Sequence, residues 1–466
     1  MLERISKRLI AATALVLAGC SSLPVITPDM RPVRADSVRL QAANGKILSV
    51  QRSKAILSGL AKGGESTDIF TRHMAIEQAL AAAPLSIGNR VTLLENGPST
   101  YRAMFAAIAA ARDHINMETY ILEDDEVGRQ FAEALLARQR EGVQVHLIYD
   151  GVGSLATPKD FFKRLTDGGV KVLEFNPVNP LKAKAGWEVN QRDHRKILIV
   201  DGKTAFLGGI NISSVYSTGS SAGAFSSGSG DKPSAKDLPW RDTDLQIDGP
   251  AVASLQQLFI ATWNGQKGET LTSRDYFPKP AEIGKEVVRV IGSTPDEPFS
   301  QIYVTLISAI NSADTTISLT NAYFVPDPQL LRALTSAAAR GVAVRMILPG
   351  TTDSSLVFHA GRAHYDELLR GGVRIFERKE ALLHAKTVLV DGVWSSVGST
   401  NLDWRSFLHN QEVTAVVLGA EFGGRMRAAF ERDLAASEEI TREAWARRSL
   451  VTRAKETFAR LWEYWL

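Results

Sequence analysis

Cysteine is nearly missing from this 466-residue chain: Cys20 stands alone and has no partner for an internal disulfide. Strong charge of one sign is missing as well, with 54 Lys and Arg set against 51 Asp and Glu for a net +3. Arg4, Lys7 and Arg8, against Glu3, lie in a segment expected to be removed, so the remaining chain carries about +1. That balance, with no groove signature of interleaved aromatic and basic residues, gives bulk nucleic-acid binding no support. The apolar run of residues 9 to 18 is too short to cross a bilayer. What is present is an ordinary globular composition, 44% hydrophobic and 23% charged, in a chain long enough for two domains with appendages.

The first 20 residues comprise a basic start, that apolar run, and Leu17-Ala18-Gly19-Cys20. Small residues before a cysteine suit cleavage, and the segment resembles a bacterial lipoprotein signal, whose cysteine is lipidated as the leader is cut away. An ordinary signal peptide and a membrane anchor are the alternatives. On the lipoprotein reading residues 1–19 are the signal peptide, Cys20 carries the lipid, and thiol catalysis is excluded. Ser21 after it resembles the pattern of lipoproteins sent on to the outer membrane, although inner and outer both stay open. Residues 20–86 read as a linker and helical segment without legible chemistry.

Beyond this the chain repeats itself. Tyr120-Ile121-Leu122, a helix through Leu136, the run from Glu141 to Ile148 and then Gly168-Gly169-Val170 return as Tyr323-Phe324-Val325, a helix through Ala339, the run from Arg340 to Ile347 and Gly371-Gly372-Val373. Strands alternating with helices, then a hairpin, predict one α/β domain occurring twice, over 87–275 and 285–440. The offset between copies is 203 at Tyr120 and Gly169 but 190 at His194 and Asn211, so the first copy carries 13 extra residues just before its His. These fall between Phe175 and Asp193, with Lys182, Lys184 and Trp187; they read either as plain loop variation or as an entrance contacting acidic headgroups. The Gly/Ser-rich stretch from Ser217 to Ser234 reads as surface loop.

An HxK-x4-D pattern lies in each copy: His194, Lys196 and Asp201, then His384, Lys386 and Asp391, each continuing to Asn211 or Asn401. A β-branched run, an Asp-Gly turn signal and a second run predict a hairpin. With Asp201 and Gly202 as a two-residue turn, Asn211 falls opposite Arg192, and Asn401 likewise opposite Leu382. Alternation along a strand then sets His, Lys and Asn on one face at one end. Lys and Asn can donate to non-bridging phosphate oxygens, stabilising a pentacoordinate transition state with no metal or other cofactor. A neutral imidazole can attack phosphorus, and a protonated one can supply the leaving oxygen with its proton. Asp242 and Glu412, in matching places before a strand, are the candidates to orient the two imidazoles. Asp201 and Asp391 sit at the turn end of each hairpin and read as structural.

These motifs resemble the phospholipase D superfamily, over residues 88 to 435. Gly398-Ser399-Thr400-Asn401 through Phe407, Asn410-Gln411-Glu412, Gly208-Gly209-Ile210-Asn211-Ile212 and Leu383-His384-Ala385-Lys386 are similar to bacterial cardiolipin synthases. The resemblance implies two α/β sandwich domains related by a pseudo-twofold, with the active site at their interface. It implies a phosphatidyl-enzyme on one His, here assigned to His194, with His384 as general acid and then base; Lys196, Lys386, Asn211 and Asn401 hold the phosphate. The implied substrates are phospholipids, phosphatidylglycerol with phosphatidylethanolamine as another candidate donor, met at a membrane surface through a lipid anchor on the periplasmic side. Hydrolysis to phosphatidic acid, a periplasmic nuclease and a non-catalytic lipid-binding lipoprotein are the competing readings. The tail, residues 441–466, mixes Arg442, Arg447, Arg448, Arg453, Lys455 and Arg460 with aromatics; it reads either as a helix lying on an anionic bilayer or as one packed on the body.

Overall fold

The computed structural model describes residues 38–62, 67, 69–80, 83–179, 188, 190–217 and 238–466. The expectations for the leader, Cys20, Lys182, Lys184, Trp187 and most of the Gly/Ser-rich stretch lie outside these residues. No described helix is long and apolar enough to cross a membrane.

Both copies build the same sheet. In the first, Lys171–Phe175, Gln144–Asp150 and His114–Thr119 run parallel; Ile197–Val200, Thr204–Gly208, Asp244–Asp248 and Leu85–Leu94 continue it antiparallel. In the second, Arg374–Arg378, Ala343–Pro349 and Thr316–Thr320 run parallel, then Thr387–Val390, Trp394–Gly398, Asn410–Leu418 and Glu286–Ser293 antiparallel. The helices between parallel strands start where sequence chemistry puts them: Asp125 and Asp327 accept N–H bonds from the first turn, and Pro328 occupies a position where its missing donor costs nothing.

Strand periodicity decides where the core goes. Leu198 and Val200 point to the helices of the first copy, among Tyr101, Phe131 and Leu135. Ile197 and Ile199 point the other way, into a layer shared with Val397, Val413, Ala415 and Phe422 of the second copy. The edge strands Leu85–Leu94 and Glu286–Ser293 also pair, through Glu286 with Asn89 and Val288 with Ser86. The molecule therefore has two similar α/β sandwich domains joined back to back by a common apolar layer.

The hairpin register differs from expectation. Val200 pairs with Thr204 and Val390 with Trp394, so each turn has three residues rather than two. Asp201 and Asp391 take left-handed conformations, φ +52° and +50°, which Asp visits more readily than most non-glycine residues. Here the Asp201 carboxylate accepts the N–H groups of Arg112, Asp113 and His114, and Asp391 those of Asp314, Thr315 and Thr316. Reaching these amides opens the turn by one residue and removes the expected pairing of Asn211 with Arg192 and of Asn401 with Leu382. The ladder ends at Gly208 and Gly398, and the chain beyond is held instead by bridges of Ile212 to Leu122 and of Leu402 to Phe324.

Candidate active site

Each His enters the site on a short strand that pairs with the other copy. Arg192–Asp193 runs parallel to Asn410-Gln411, and the His194 N–H donates to the Gln411 carbonyl at 3.0 Å. By the same rule Leu382–Leu383 runs parallel to Trp240–Arg241, and the His384 N–H donates to the Arg241 carbonyl at 2.8 Å. The next residue along each partner strand is a carboxylate. Glu412 therefore meets His194, its two oxygens 3.0 and 3.1 Å from Nδ1, and Asp242 meets His384, 2.6 Å from Nδ1. The pairs are crossed: every imidazole is oriented by the opposite copy, which leaves both Nε2 atoms free for chemistry.

The two acids differ in length, and their surroundings compensate. Beside Glu412, the Ser399 hydroxyl donates to Oε2 at 2.5 Å. The corresponding position beside Asp242 is Gly209, where an added Cβ would stand only 2.3 Å from Oδ1. The shorter acid comes closer to the backbone and occupies the space a serine would need.

His194 and His384 are 7% and 4% exposed, and such burial disfavours charge. Burial pushes His194 down to about 4, against the opposing pull of Glu412. His384 is also lowered, by burial first and then by the Lys386 charge. Both rings are neutral near pH 7. Burial lowers Lys196 to about 7 and Lys386 to about 8, although the carboxylates resist it. The Lys196 ammonium donates to the His194 carbonyl at 2.7 Å and lies 5.2 Å from the centre of the Tyr120 ring. Lys386 is bonded to the His384 carbonyl and stands 2.9 Å from His384 Nδ1. For Glu412 burial raises the proton affinity, but His194, Lys196 and Ser399 together hold it below the usual carboxylate range.

The asparagines are placed differently from one another. Asn211 accepts the Ile121 N–H and donates to the Tyr216 hydroxyl at 3.2 Å, and that hydroxyl lies 3.3 Å from His384 Nδ1. Asn401 is buried, with its Oδ1 unpaired among the described residues. Sequence reasoning missed the aromatic walls: Tyr120 edge-on to His194 at 5.1 Å, and Trp240 and Tyr323 at 5.1 and 6.1 Å from His384. Tyr120 and Tyr323 share the repeat offset of 203, a signal that could have found them. It also missed Arg195, buried and bonded to the Glu412 and Ser293 carbonyls and to Thr262, which ties the crossed pair to both copies. Beneath His194 lie Glu118 and Asp193, the latter pushed well above the usual carboxylate range by burial and by Glu118; the second copy has Asn321 and Leu383 there. Among the described residues no three His, Cys, Asp or Glu side chains converge as metal ligands.

Two buried imidazoles, each held by a carboxylate, with a lysine beside each, can divide nucleophilic attack on a phosphodiester from proton transfer. The model of the family described as "Cardiolipin synthase, PLD-like domain" matches twice, at residues 104–218 and 306–434. A cardiolipin synthase of Geobacillus kaustophilus is 35% identical over 381 residues, 81% of this chain and 72% of that one. One from Listeria monocytogenes is 35% identical over 382 residues, 81% and 76% of the two chains. The phosphatidylserine synthase structure of Haemophilus influenzae shares the fold, with a TM-score of 0.59 at 13% identity over 84% of this chain and 99% of that one. The chain belongs to the phospholipase D-like family of cardiolipin synthases.

Proposed function

We propose that this protein is a phosphatidyltransferase that makes cardiolipin from phosphatidylglycerol and a second phospholipid through a phosphatidyl group held on His194. The observation that carries the reading is the crossed pairing of His194 with Glu412 and His384 with Asp242; the names of the relatives support the choice of substrate. His194 Nε2 attacks the donor phosphorus, a P–N bond forms, and the P–O bond to the leaving alcohol breaks as His384 passes that oxygen a proton. Arrival of the anionic diester raises the proton affinity of His384, which takes up that proton from solvent as the substrate binds, and keeps Lys196 and Lys386 charged against the non-bridging oxygens. Asn211 and Asn401 complete the phosphate contacts. In the second step His384 takes a proton from the glycerol hydroxyl of phosphatidylglycerol, the new P–O bond forms, and the P–N bond breaks. Glu412 and Asp242 hold each ring in the tautomer that leaves Nε2 available. Lipidation at Cys20, with the protein anchored on the periplasmic side and the outer membrane favoured, belongs to the same proposal and rests on Leu17-Ala18-Gly19-Cys20.

Purified protein given phosphatidylglycerol liposomes is expected to form cardiolipin and release glycerol, and His194→Ala and His384→Ala each to abolish this. Phosphatidic acid as the sole product would replace transfer by hydrolysis. Mapping a trapped phosphatidyl adduct to His384 would exchange the two roles.

A further inference from the structure

The helix Leu450–Arg460 is amphipathic the wrong way round for a helix packed on a protein body. Its inward side carries Glu456, buried and bonded to Arg448 at 2.8 Å, together with Ala459, which packs on Val325 and Ala360. Leu450, Ala454, Phe458 and Leu461 follow at helical spacing on the opposite side, and Leu450, Phe458 and Leu461 are 80%, 61% and 75% exposed. Trp462 and Trp465 follow the helix, both also exposed. Arg453, Lys455 and Arg460 are exposed beside this stripe. An outward apolar stripe flanked by cations and ended by tryptophans matches the interfacial zone of an anionic bilayer.

The segment is fixed at the rim of the site. Tyr464 packs against Trp404 and His409, and the Leu466 carbonyl accepts the Arg405 N–H. The His409 carbonyl accepts the Arg192 N–H; Arg192 stands two residues before His194 and His409 three before Glu412. Each copy adds an exposed apolar residue nearby. Leu155 is on the loop whose Ser154 bonds to Tyr120, the ring against His194; Leu356 follows Asp353, which accepts the Tyr323 hydroxyl beside His384.

We infer that the C-terminal segment, through Phe458, Leu461, Trp462 and Trp465, docks the mouth of the site onto an anionic lipid surface. This deepens the proposed function, which supplies a reason for the site to meet a bilayer, but the binding is measured without turnover. Vesicles of anionic phospholipid brominated in the upper acyl chain are added to the full-length protein. Tryptophan fluorescence is expected to be quenched, and Trp462→Phe with Trp465→Phe to lose most of that quenching. Quenching equal in the two proteins, or none in the wild type, would overturn the inference, as would self-association through this face in place of lipid binding. In a second arm Phe458→Ser with Leu461→Ser is expected to cut turnover of vesicle-bound phosphatidylglycerol by about tenfold and to leave turnover of a dispersed short-chain analogue unchanged. Equal loss on both substrates would overturn it too. A wild type that is quenched but converts neither lipid would leave docking standing and sink the catalytic reading alone.

Discussion

Two buried lysines are expected to steepen the alkaline limb of this site's pH profile, a limb that opens with His384, the proposed general acid. Lys196 loses its proton at about 7 and Lys386 at about 8, chiefly because burial disfavours the ammonium. On the proposed mechanism the transition state needs His384 protonated and both lysines charged, so kcat/KM is expected to decline first as His384, lowered by burial, loses its proton, and to fall more steeply as pH rises through 7 to 8. The acid side is broad, because burial keeps His194 neutral down to about 4. Bound phosphodiester raises both lysines, which sets the limb in kcat at higher pH than the limb in kcat/KM. Lys196→Arg replaces the more depressed lysine by a cation that stays charged at every accessible pH. Its rate is expected to fall, while the steepening of its kcat/KM profile moves up by about one unit, to where Lys386 titrates. An unmoved steepening would show that Lys196 does not set it. At this scale the sequence was largely legible: His194, Lys196, His384 and Lys386 stood out by spacing. Gly209 and Ser399 were legible only as motif positions, since their meaning depends on the carboxylate that folds against each.

At the scale of the element, the hairpin is the working part. One end presents His and Lys; the other is pinned by an Asp whose carboxylate collects backbone amides. Asp391 is fully buried and also takes the Thr315 hydroxyl at 2.9 Å and the Thr67 hydroxyl at 2.5 Å. Asp391→Ala leaves these donors unsatisfied and is expected to cost about 3 kcal/mol, read as a lower urea midpoint. Turnover measured well below that midpoint is expected to stay within a few-fold of the parent. Turnover abolished at unchanged stability would place the carboxylate in the chemistry instead. Strand, turn and strand were readable from β-branched runs around Asp-Gly, but the three-residue turn was not. Turn length depends on the amides of Arg112 to His114 and of Asp314 to Thr316, which are remote in sequence.

At the scale of the whole molecule, the two copies share one apolar layer. Ile199 of the first copy lies in the same apolar layer as Val397, Val413 and Phe422 of the second. Ile199→Ala is expected to cost about 3 kcal/mol, the range for a buried isoleucine truncated to alanine. In calorimetry both copies are expected to melt in a single, lowered transition. Two transitions with only one displaced would contradict a shared core. The same union makes the crossed pairs, since neither copy alone supplies a His and its orienting acid.

Repetition at fixed offsets, alternating apolar strands and two complete sets of His, Lys and Asn were properties of the sequence by itself. They settled an α/β unit occurring twice and the family to which it belongs, because local periodicity and motif spacing are written along one chain. Which acid serves which imidazole, how Asn211 reaches the Tyr216 hydroxyl, and that the last helix turns its apolar side outward were decided only by the tertiary structure. The crossed pairs join residues 218 and 142 positions apart, and the Tyr216 hydroxyl reaches His384 across 168; such meetings are governed by how the shared core packs, not by local spacing.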